Sequence, residues 1–251
     1  MLNPFLAHGW ASSPERLAIA AAVTLGFAVL ARALRGVNRS GAVTGGLACF
    51  LLFAGAGPAA FATLTALFLV TWVSTRMGYR RKLALGLAEQ REGRNGWQVL
   101  ANLAVVALGS AAFSATGNRV WLVAALAALA EAATDTVASE IGQYRGRDAR
   151  LITTWERVPA GTDGGITVAG SVAGLAAGLA IAAVAAVGGM LPYPQLWIPI
   201  AAGFAGMLID SVLGATLQRR GWIGNQAVNL FSTLAGAALA SAIWMSIQNS
   251  P

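Results

Sequence analysis

Three carboxylates lie close together in a stretch of this sequence that is otherwise largely apolar. Glu131 and Asp135 are four residues apart, and Glu140 follows five residues later. On a helix, positions four apart share one face, with side chains about 6 Å apart. Two like charges at that distance repel unless a cation lies near them or one is protonated. Oxygen ligands of this kind suit Mg²⁺, so the three carboxylates predict a metal site.

Each of these carboxylates also has a simpler interpretation. Glu131 and Asp135 could form a buried pair that a neighbouring threonine or an arginine satisfies. Glu140 lies nine residues beyond Glu131, roughly on the other side of a helix, and it joins the metal site only if the helix ends near Gly142. Otherwise Glu140 is an interfacial residue paired with Arg145. Both alternatives stay open at the level of sequence.

A glycine-rich segment, Gly161-Thr162-Asp163-Gly164-Gly165, precedes another apolar run and is expected to open its helix. Helix N-termini present free N–H groups, and glycines let the backbone close around a phosphate. Thr162 or Asp163 could instead serve only as the N-cap. Asp163 would repel a phosphate unless a metal ion bridged the two, so the segment predicts phosphate binding and metal binding together.

Further polar residues stand near the ends of other apolar runs. Asp210 joins Glu131, Asp135 and Asp163 as the fourth carboxylate of the predicted metal site. Glu140 would be a fifth. Arg94 precedes one run and is of a type that binds phosphate. The residues that we expect to contact a phosphate-bearing ligand are Arg94, Asn95, Asn102, Thr162, Gly164, Gly165, Gln218 and Asn229.

The composition indicates that a membrane protein positions these residues. Of 251 residues, 57% are hydrophobic and 11% are charged, whereas soluble domains carry about 25% charged residues. A soluble fold of this length could not bury so much apolar surface. We therefore expect an all-α, polytopic bundle that forms a single transmembrane domain over residues 1–251. The lone histidine, His8, argues against a histidine-based metal cluster or a Ser-His-Asp triad.

The hydropathy pattern predicts about eight spans, within a range of seven to nine. A span needs about 20 residues, so the second segment is short and is expected to be tilted or partly re-entrant. The predicted segments are 16–34, 41–56, 58–75, 97–113, 120–141, 165–187, 196–217 and 227–247.

Basic residues alternate between the linkers of these segments. The first, third, fifth and seventh linkers and their borders hold 15 of the 17 basic residues. By the positive-inside rule, these linkers face the cytoplasm and both termini face out. The net charge of +7 is thus a signal of topology rather than of nucleic-acid binding. The two longest cytoplasmic loops are about 76–96 and 142–164, and the membrane is expected to be the bacterial inner (cytoplasmic) membrane.

Depth along the helices places the polar residues at one membrane face. With a rise of about 1.5 Å per residue, Asp135, Asp210 and Asn102 all lie in the cytoplasmic halves of their spans, while the outer halves are almost purely apolar. A transport path would leave polar groups across the whole thickness. The pattern therefore favours one pocket that opens to the cytoplasm.

Several motifs together resemble the integral membrane family that contains plant phytyl-phosphate kinase. The resemblance covers most of the chain, from Asn38 to about Asn229. It depends on the order of an Asp-Thr pair, a Ser-Glu-Ile-Gly run and a Pro-x-Gly-Thr-Asp-Gly-Gly run. The matching motifs begin at Asn38, Arg94, Ala133, Leu151, Val158 and Asp210.

The resemblance implies a polytopic enzyme that phosphorylates an isoprenoid monophosphate to the diphosphate, with CTP or another nucleoside triphosphate as donor. This family is also similar, distantly, to CTP-using dolichol kinases and membrane cytidylyltransferases. The acceptor would be a phytyl, geranylgeranyl or polyprenyl phosphate in the bilayer. The oligomeric state stays undetermined by the sequence.

We expect the catalytic carboxylates to be Glu131, Asp135, Asp163 and Asp210, held together by Mg²⁺, with Glu140 as a further metal ligand. Two other functions remain open for the same residues. One is a cytidylyltransferase that makes a CDP-lipid from CTP. The other is a transporter of lipid or ions in which the carboxylates relay cations or protons.

Overall fold

The computed structural model describes residues 13–145 and 148–249. Within these ranges regular structure is helical apart from one hairpin of two-residue strands, which confirms the predicted all-α bundle. The helices are α1 (Pro14–Ala33), α2 (Arg39–Arg76), α3 (Tyr79–Ala84), α4 (Gly96–Thr116), α5 (Arg119–Arg145), α6 (Val168–Val187), α7 (Trp197–Leu213) and α8 (Asn225–Gln248). A 3₁₀ turn at Tyr193–Gln195 precedes α7, and a π-helical segment at Gly214–Gln218 continues it.

Seven of the described helices are long and apolar enough to cross a membrane, all except α3. The second of them, α2, bends at Gly57, where φ is 83° and ψ is −172°, a conformation open to glycine, and Pro58 follows. The bend folds α2 back on itself: near its end, the Trp72 indole and the Arg76 guanidinium both donate to the carbonyl of Leu34, just before its start. Its two halves correspond to the second and third predicted segments.

The predicted external position of both termini concerns residues 1–12 and 250–251, which lie outside the described residues, as do His8 and Arg147. Within the described residues, α4 and α8 begin, and α5 and α7 end, at the end of the bundle that carries the predicted site.

Local capping residues fix where several helices begin. The side chains of Ser13, Asn38 and Thr167 accept hydrogen bonds from backbone N–H groups in the first turns of α1, α2 and α6. Asn95 and Gln98 form a reciprocal capping box at the start of α4. Such caps satisfy N–H groups that have no partner inside the helix, and three of them stand at the end of the bundle where the site lies.

Helix α5 is the central helix of the bundle. Every residue from Leu122 to Thr134 is buried, and α2, α4, α6, α7 and α8 pack around it. Glycines allow this close approach. A Cβ added at Gly174 of α6 would lie 2.5 Å from the Thr134 carbonyl oxygen, and one at Gly206 of α7 would lie 2.5 Å from Cγ of Glu131. The carboxylate-bearing half of α5 is thus held tightly by its neighbours.

The predicted start of the sixth span is wrong. Residues Gly165–Ile166 form strand β2, which pairs antiparallel with β1 at Arg150–Leu151. The helix begins only at Val168, and its N-cap is Thr167 rather than Thr162 or Asp163. The glycine-rich segment therefore belongs to a folded loop that packs on the bundle, and its amides are not those of a helix N-terminus.

Candidate functional site

A polar cavity of about 370 Å³ opens at the end of the bundle where α4 and α8 begin and α5 and α7 end. We call it the polar cavity. Its walls come from five helices, α4 to α8, from the π-helical segment and from the loops that precede α4 and α6. Among its lining residues are Arg94, Gln98, Asn102, Asp135, Thr136, Glu140, Thr162, Asp163, Gly164, Gly165, Asp210, Gln218, Asn225, Gln226 and Asn229. The structure thus brings together eleven of the thirteen residues that the sequence indicated; the exceptions are Glu131 and Asn95.

Besides Glu89 and Glu140, three aspartates from three separate segments line this cavity. Asp135 belongs to α5, Asp163 to the loop and Asp210 to α7. The carboxylate of Asp210 lies close enough to both others to interact with them electrostatically, and it accepts a hydrogen bond from Ser232 Oγ at 3.4 Å. Like charges brought this close repel, so the arrangement favours a bound cation or shared protons.

Glu131 lies beneath the cavity rather than in its wall. It is buried, packed against glycines of α7 and α8, and its Oε1 has no hydrogen-bond partner among the described residues. It interacts electrostatically with Asp135 and Asp210. Burial of a carboxylate oxygen without a partner is costly. Glu131 therefore lies directly beneath the carboxylates of the cavity without being exposed to a ligand there.

Arg94 provides the positive charge among the cavity residues. Its backbone pairs with Val37 in an isolated bridge, which fixes the residue between the start of α2 and the start of α4. Its guanidinium lies 3.4–3.5 Å from Thr136 Oγ1 and 3.9 Å from Glu89 Oε2, and it interacts electrostatically with Asp135. The guanidinium is thus held at the cavity wall, where it can meet a phosphate.

The amides near Arg94 serve mainly to shape the wall. Asn95 does not line the cavity, because its side-chain oxygen accepts from the N–H groups of Trp97 and Gln98 as the cap of α4. Asn102 does line it and donates to the Gln98 carbonyl at 2.8 Å. Its side-chain oxygen can still accept a hydrogen bond from a ligand.

The loop Gly161–Gly165 closes one side of the cavity. Gly164 has a φ of +74°, and a Cβ there would collide with Ala215, so only glycine allows the loop to lie against the π-helical segment. The Gly165 N–H donates to the Thr162 carbonyl at 2.8 Å, which occupies one of the amides predicted to bind phosphate. Burial raises the pKa of Asp163 above its ordinary value, and the nearby Arg219 partly opposes that shift.

Glu140 is held by a lysine that the sequence interpretation overlooked. Lys82 of α3 is fully buried, forms an ion pair with Glu140 and also donates to the carbonyls of Ser74 and Thr75. Thr75 Oγ1 donates to Glu140 Oε1 at 2.8 Å. The interfacial pair with Arg145, one of the two alternatives, is not formed. Lys82 lies among exposed arginines in the sequence, so no local signal distinguishes it.

The donor set fits Mg²⁺ in chemistry but does not form a closed cage. The carboxylates of the cavity offer only oxygen ligands, which Mg²⁺ prefers, and below them Glu131 Oε1 lacks a hydrogen-bond partner within the part of the chain that the structure describes. Among the described residues, no three His, Cys, Asp or Glu side chains are grouped as a ready-made metal site. A magnesium ion here would take its remaining ligands from water or from phosphate oxygens, as Mg²⁺ commonly does.

Comparison with known proteins connects this arrangement to a family. The family described as "Integral membrane protein DUF92" matches residues 22–237. An uncharacterized membrane protein of Synechocystis sp. is 36% identical over 199 residues, 77% of each chain. Protein VTE6, chloroplastic, of Arabidopsis thaliana is 30% identical over 218 residues, which make up 82% of this chain and 64% of that protein. An uncharacterized membrane protein of Methanocaldococcus jannaschii is 29% identical over 92% of this chain and 96% of its own. No solved structure matches the chain.

Proposed function

The chain belongs to the integral membrane family DUF92, and from that premise we propose that it is a lipid-phosphate kinase. Membership confirms the family that the motifs indicated, the one that contains plant phytyl-phosphate kinase. The proposed reaction transfers a phosphoryl group from CTP, or another nucleoside triphosphate, to an isoprenoid monophosphate such as phytyl, geranylgeranyl or polyprenyl phosphate. The membrane would be the bacterial cytoplasmic membrane, with the polar cavity facing the cytoplasm.

One observation carries the proposal. Asp135, Asp163 and Asp210 come from three separate segments and meet Arg94 in one polar cavity at one end of an otherwise apolar bundle. A purely structural membrane protein has no need for ionisable groups there, because each is costly within a membrane. Carboxylates beside an arginine are suited to a magnesium-bound triphosphate. The carboxylates can bind the Mg²⁺, and the arginine can neutralise charge on the phosphates.

The proposed chemistry needs little from the protein beyond positioning and charge neutralisation. An oxygen of the lipid phosphate attacks the γ-phosphorus, a new P–O bond forms, the bond to the β,γ-bridging oxygen breaks, and the nucleoside diphosphate leaves. The attacking oxygen is already anionic, so no strong general base is required. Arg94 would hold phosphate oxygens in line for the transfer.

The residues that would hold Mg²⁺ are Asp135, Asp163 and Asp210. When bound, Mg²⁺ would neutralise charge on the triphosphate during transfer. Glu131 would support these carboxylates from beneath without touching the metal. The carboxylate of Glu140 is already occupied by Lys82 and Thr75, which favours a supporting role for it over direct contact with the metal.

The test is transfer of label from γ-labelled CTP or ATP to geranylgeranyl monophosphate by purified protein in nanodiscs. Asp135→Asn and Asp163→Asn should each abolish most transfer. Asp148→Asn is the matched control, because Asp148 lies in the same loop, has an 81% exposed side chain and does not line the cavity. Wild-type turnover in both cavity variants would refute the site assignment.

The nature of the product separates the kinase from a cytidylyltransferase that uses the same cavity. A kinase leaves the α-label of CTP in the aqueous phase and moves the γ-label to the lipid. A cytidylyltransferase moves the α-label to the lipid and releases diphosphate. Lipid or ion flux without any nucleotide, together with no label transfer, would instead favour a transporter.

A further inference from the structure

A second cavity, of about 550 Å³, lies beside the polar cavity between α1, both halves of α2 and the start of α4. We call it the apolar cavity. Its walls are mainly aromatic, aliphatic and glycine residues; the larger side chains include Phe27, Leu64, Leu67, Phe68, Trp72 and Leu103. A cavity lined in this way, in a helical bundle of this kind, is suited to a hydrocarbon chain rather than to a polar ligand.

The two cavities share a wall. Glu89, Arg94, Gln98 and Asn102 line both of them. The shared residues include the arginine that we assign to phosphate binding. A phosphate held by Arg94 would therefore lie at the junction, with apolar surroundings on one side and the carboxylates of the polar cavity on the other.

Positive charges also line the apolar cavity. Arg35, Arg76 and Arg91 are part of its wall, and within residues 13–145 and 148–249 none of them has a carboxylate at ion-pair distance. Arg35 and Arg76 are close enough to repel one another, and Arg76 stacks over Trp72 at 4.0 Å from the ring centroid. Unneutralised arginines beside an apolar cavity complement a ligand with an anionic head and an apolar tail.

We propose that the apolar cavity is the binding site of the acceptor lipid, a proposal that rests on the kinase function. The first isoprene units of a lipid monophosphate lie among Phe68, Trp72 and Leu103. Its phosphate lies between Arg35, Arg76 and Arg94, and points into the polar cavity, where the nucleotide binds. The two substrates thus approach Arg94 from opposite sides, one from the membrane region between α1, α2 and α4 and one from the aqueous end.

The test uses a geranylgeranyl monophosphate analogue with a photoreactive diazirine in its first isoprene unit, added to the purified full chain in nanodiscs without nucleotide. Cross-links should map to α1, α2 and the start of α4. Geranylgeranyl monophosphate should compete, whereas geranylgeraniol and inorganic phosphate should compete at least about tenfold less well, since each lacks one half of the ligand. Equal competition by the alcohol, or cross-links spread over the outer surface of the bundle, would overturn the proposal.

Two pairs of variants sharpen the result. Gly45→Leu adds a side chain within the wall of the apolar cavity; its Cβ would lie 3.6 Å from Val99, an ordinary contact, so the backbone has room for it. We expect it to reduce cross-linking about tenfold. Gly26→Leu on α1 is its control, because a Cβ at Gly26 meets nothing within 4 Å and Gly26 does not line the cavity. Unchanged cross-linking in Gly45→Leu would overturn the proposal.

The second pair tests the phosphate contact. Arg35→Gln should weaken competition by the monophosphate but not by the alcohol. Arg32→Gln, three residues earlier in the last turn of α1 and outside the cavity wall, should change neither. The kinase assay is run on the same samples. Specific cross-linking in a wild-type protein that transfers no label would support the lipid site and reject the kinase function. Label transfer without cross-links at the apolar cavity would support the kinase function and reject the lipid site.

Discussion

The two halves of α5 lie in the same bundle and carry opposite chemistry. From Leu122 to Ala130 every residue is apolar and buried, in contact with helices on all sides. From Glu131 to Glu140 the helix carries three carboxylates, although it is still enclosed by α6, α7 and α8. Packing explains the first half completely. It does not explain the second, because ionisable groups in a membrane are costly unless they serve a function.

The comparison predicts that a substitution in the polar half removes activity while it leaves the fold intact. Asp135→Asn keeps the size of the side chain and removes its charge. We expect kcat to fall about 10²–10³-fold, as for the loss of one electrostatic contact to a transition state. Thermal unfolding should be unchanged or should occur at a slightly higher temperature, because a source of repulsion is gone. A loss of activity that parallels a loss of folded protein would contradict this prediction.

The ion pair at the end of the polar half is expected to matter for stability. Lys82→Met leaves Glu140 in a buried position without its cation, which should lower the free energy of unfolding by about 3 kcal/mol. The double variant Lys82→Met/Glu140→Leu should recover most of that loss. Steric trapping in bicelles measures both values. If the single variant were as stable as wild type, the pair would contribute nothing to holding α3 against α5.

The apolar half should behave in the opposite way to Asp135. Leu126→Ala removes a side chain that is 2% exposed in the centre of the bundle, and the cavity it leaves should lower the free energy of unfolding by about 2 kcal/mol. Turnover per folded molecule should remain that of wild type. Both quantities can be measured on one sample by active-site titration beside thermal unfolding. A selective loss of turnover would show that the two halves are not separate in role.

The smallest effect is expected for the hydroxyl that supports Asp210. Ser232→Ala removes the donor 3.4 Å from Asp210 Oδ2, which should reduce kcat/KM about fivefold, the equivalent of one ordinary hydrogen bond. Ser241→Ala on the same helix is the control, because the Ser241 hydroxyl donates to the Ala237 carbonyl one turn earlier in the same helix. Equal effects in the two variants would indicate a change in α8 rather than in the carboxylate.

Most of the fold follows from local signals in the sequence. Hydropathy and capping residues such as Asn95 act over a few positions, so the predicted segments match the helices closely. The Gly57-Pro58 pair explains why one continuous apolar stretch forms two antiparallel halves. The start of α6 could not be predicted in this way, because the pairing of Gly165–Ile166 with Arg150–Leu151 joins residues that are distant in sequence.

The sequence predicts a site residue correctly where its depth along a membrane helix is enough to place it at the cavity. Asp135, Asp210 and Asn102 lie at similar depths in their helices, and the structure brings them to one cavity. Which carboxylates face the cavity depends instead on packing between helices. Glu131 is turned towards the glycines of α7 and α8, and Glu140 meets a lysine 58 residues away. Neither contact leaves a pattern along the chain.

The most direct measurement of the central claim is the fate of the γ-phosphoryl group. Purified wild-type protein in nanodiscs, supplied with γ-labelled CTP or ATP, Mg²⁺ and geranylgeranyl monophosphate, should produce labelled lipid diphosphate, and Asp135→Asn should produce almost none. If the folded wild-type protein left all label in the aqueous phase with every nucleotide and every isoprenoid monophosphate offered, the polar cavity would not be the site of a lipid-phosphate kinase.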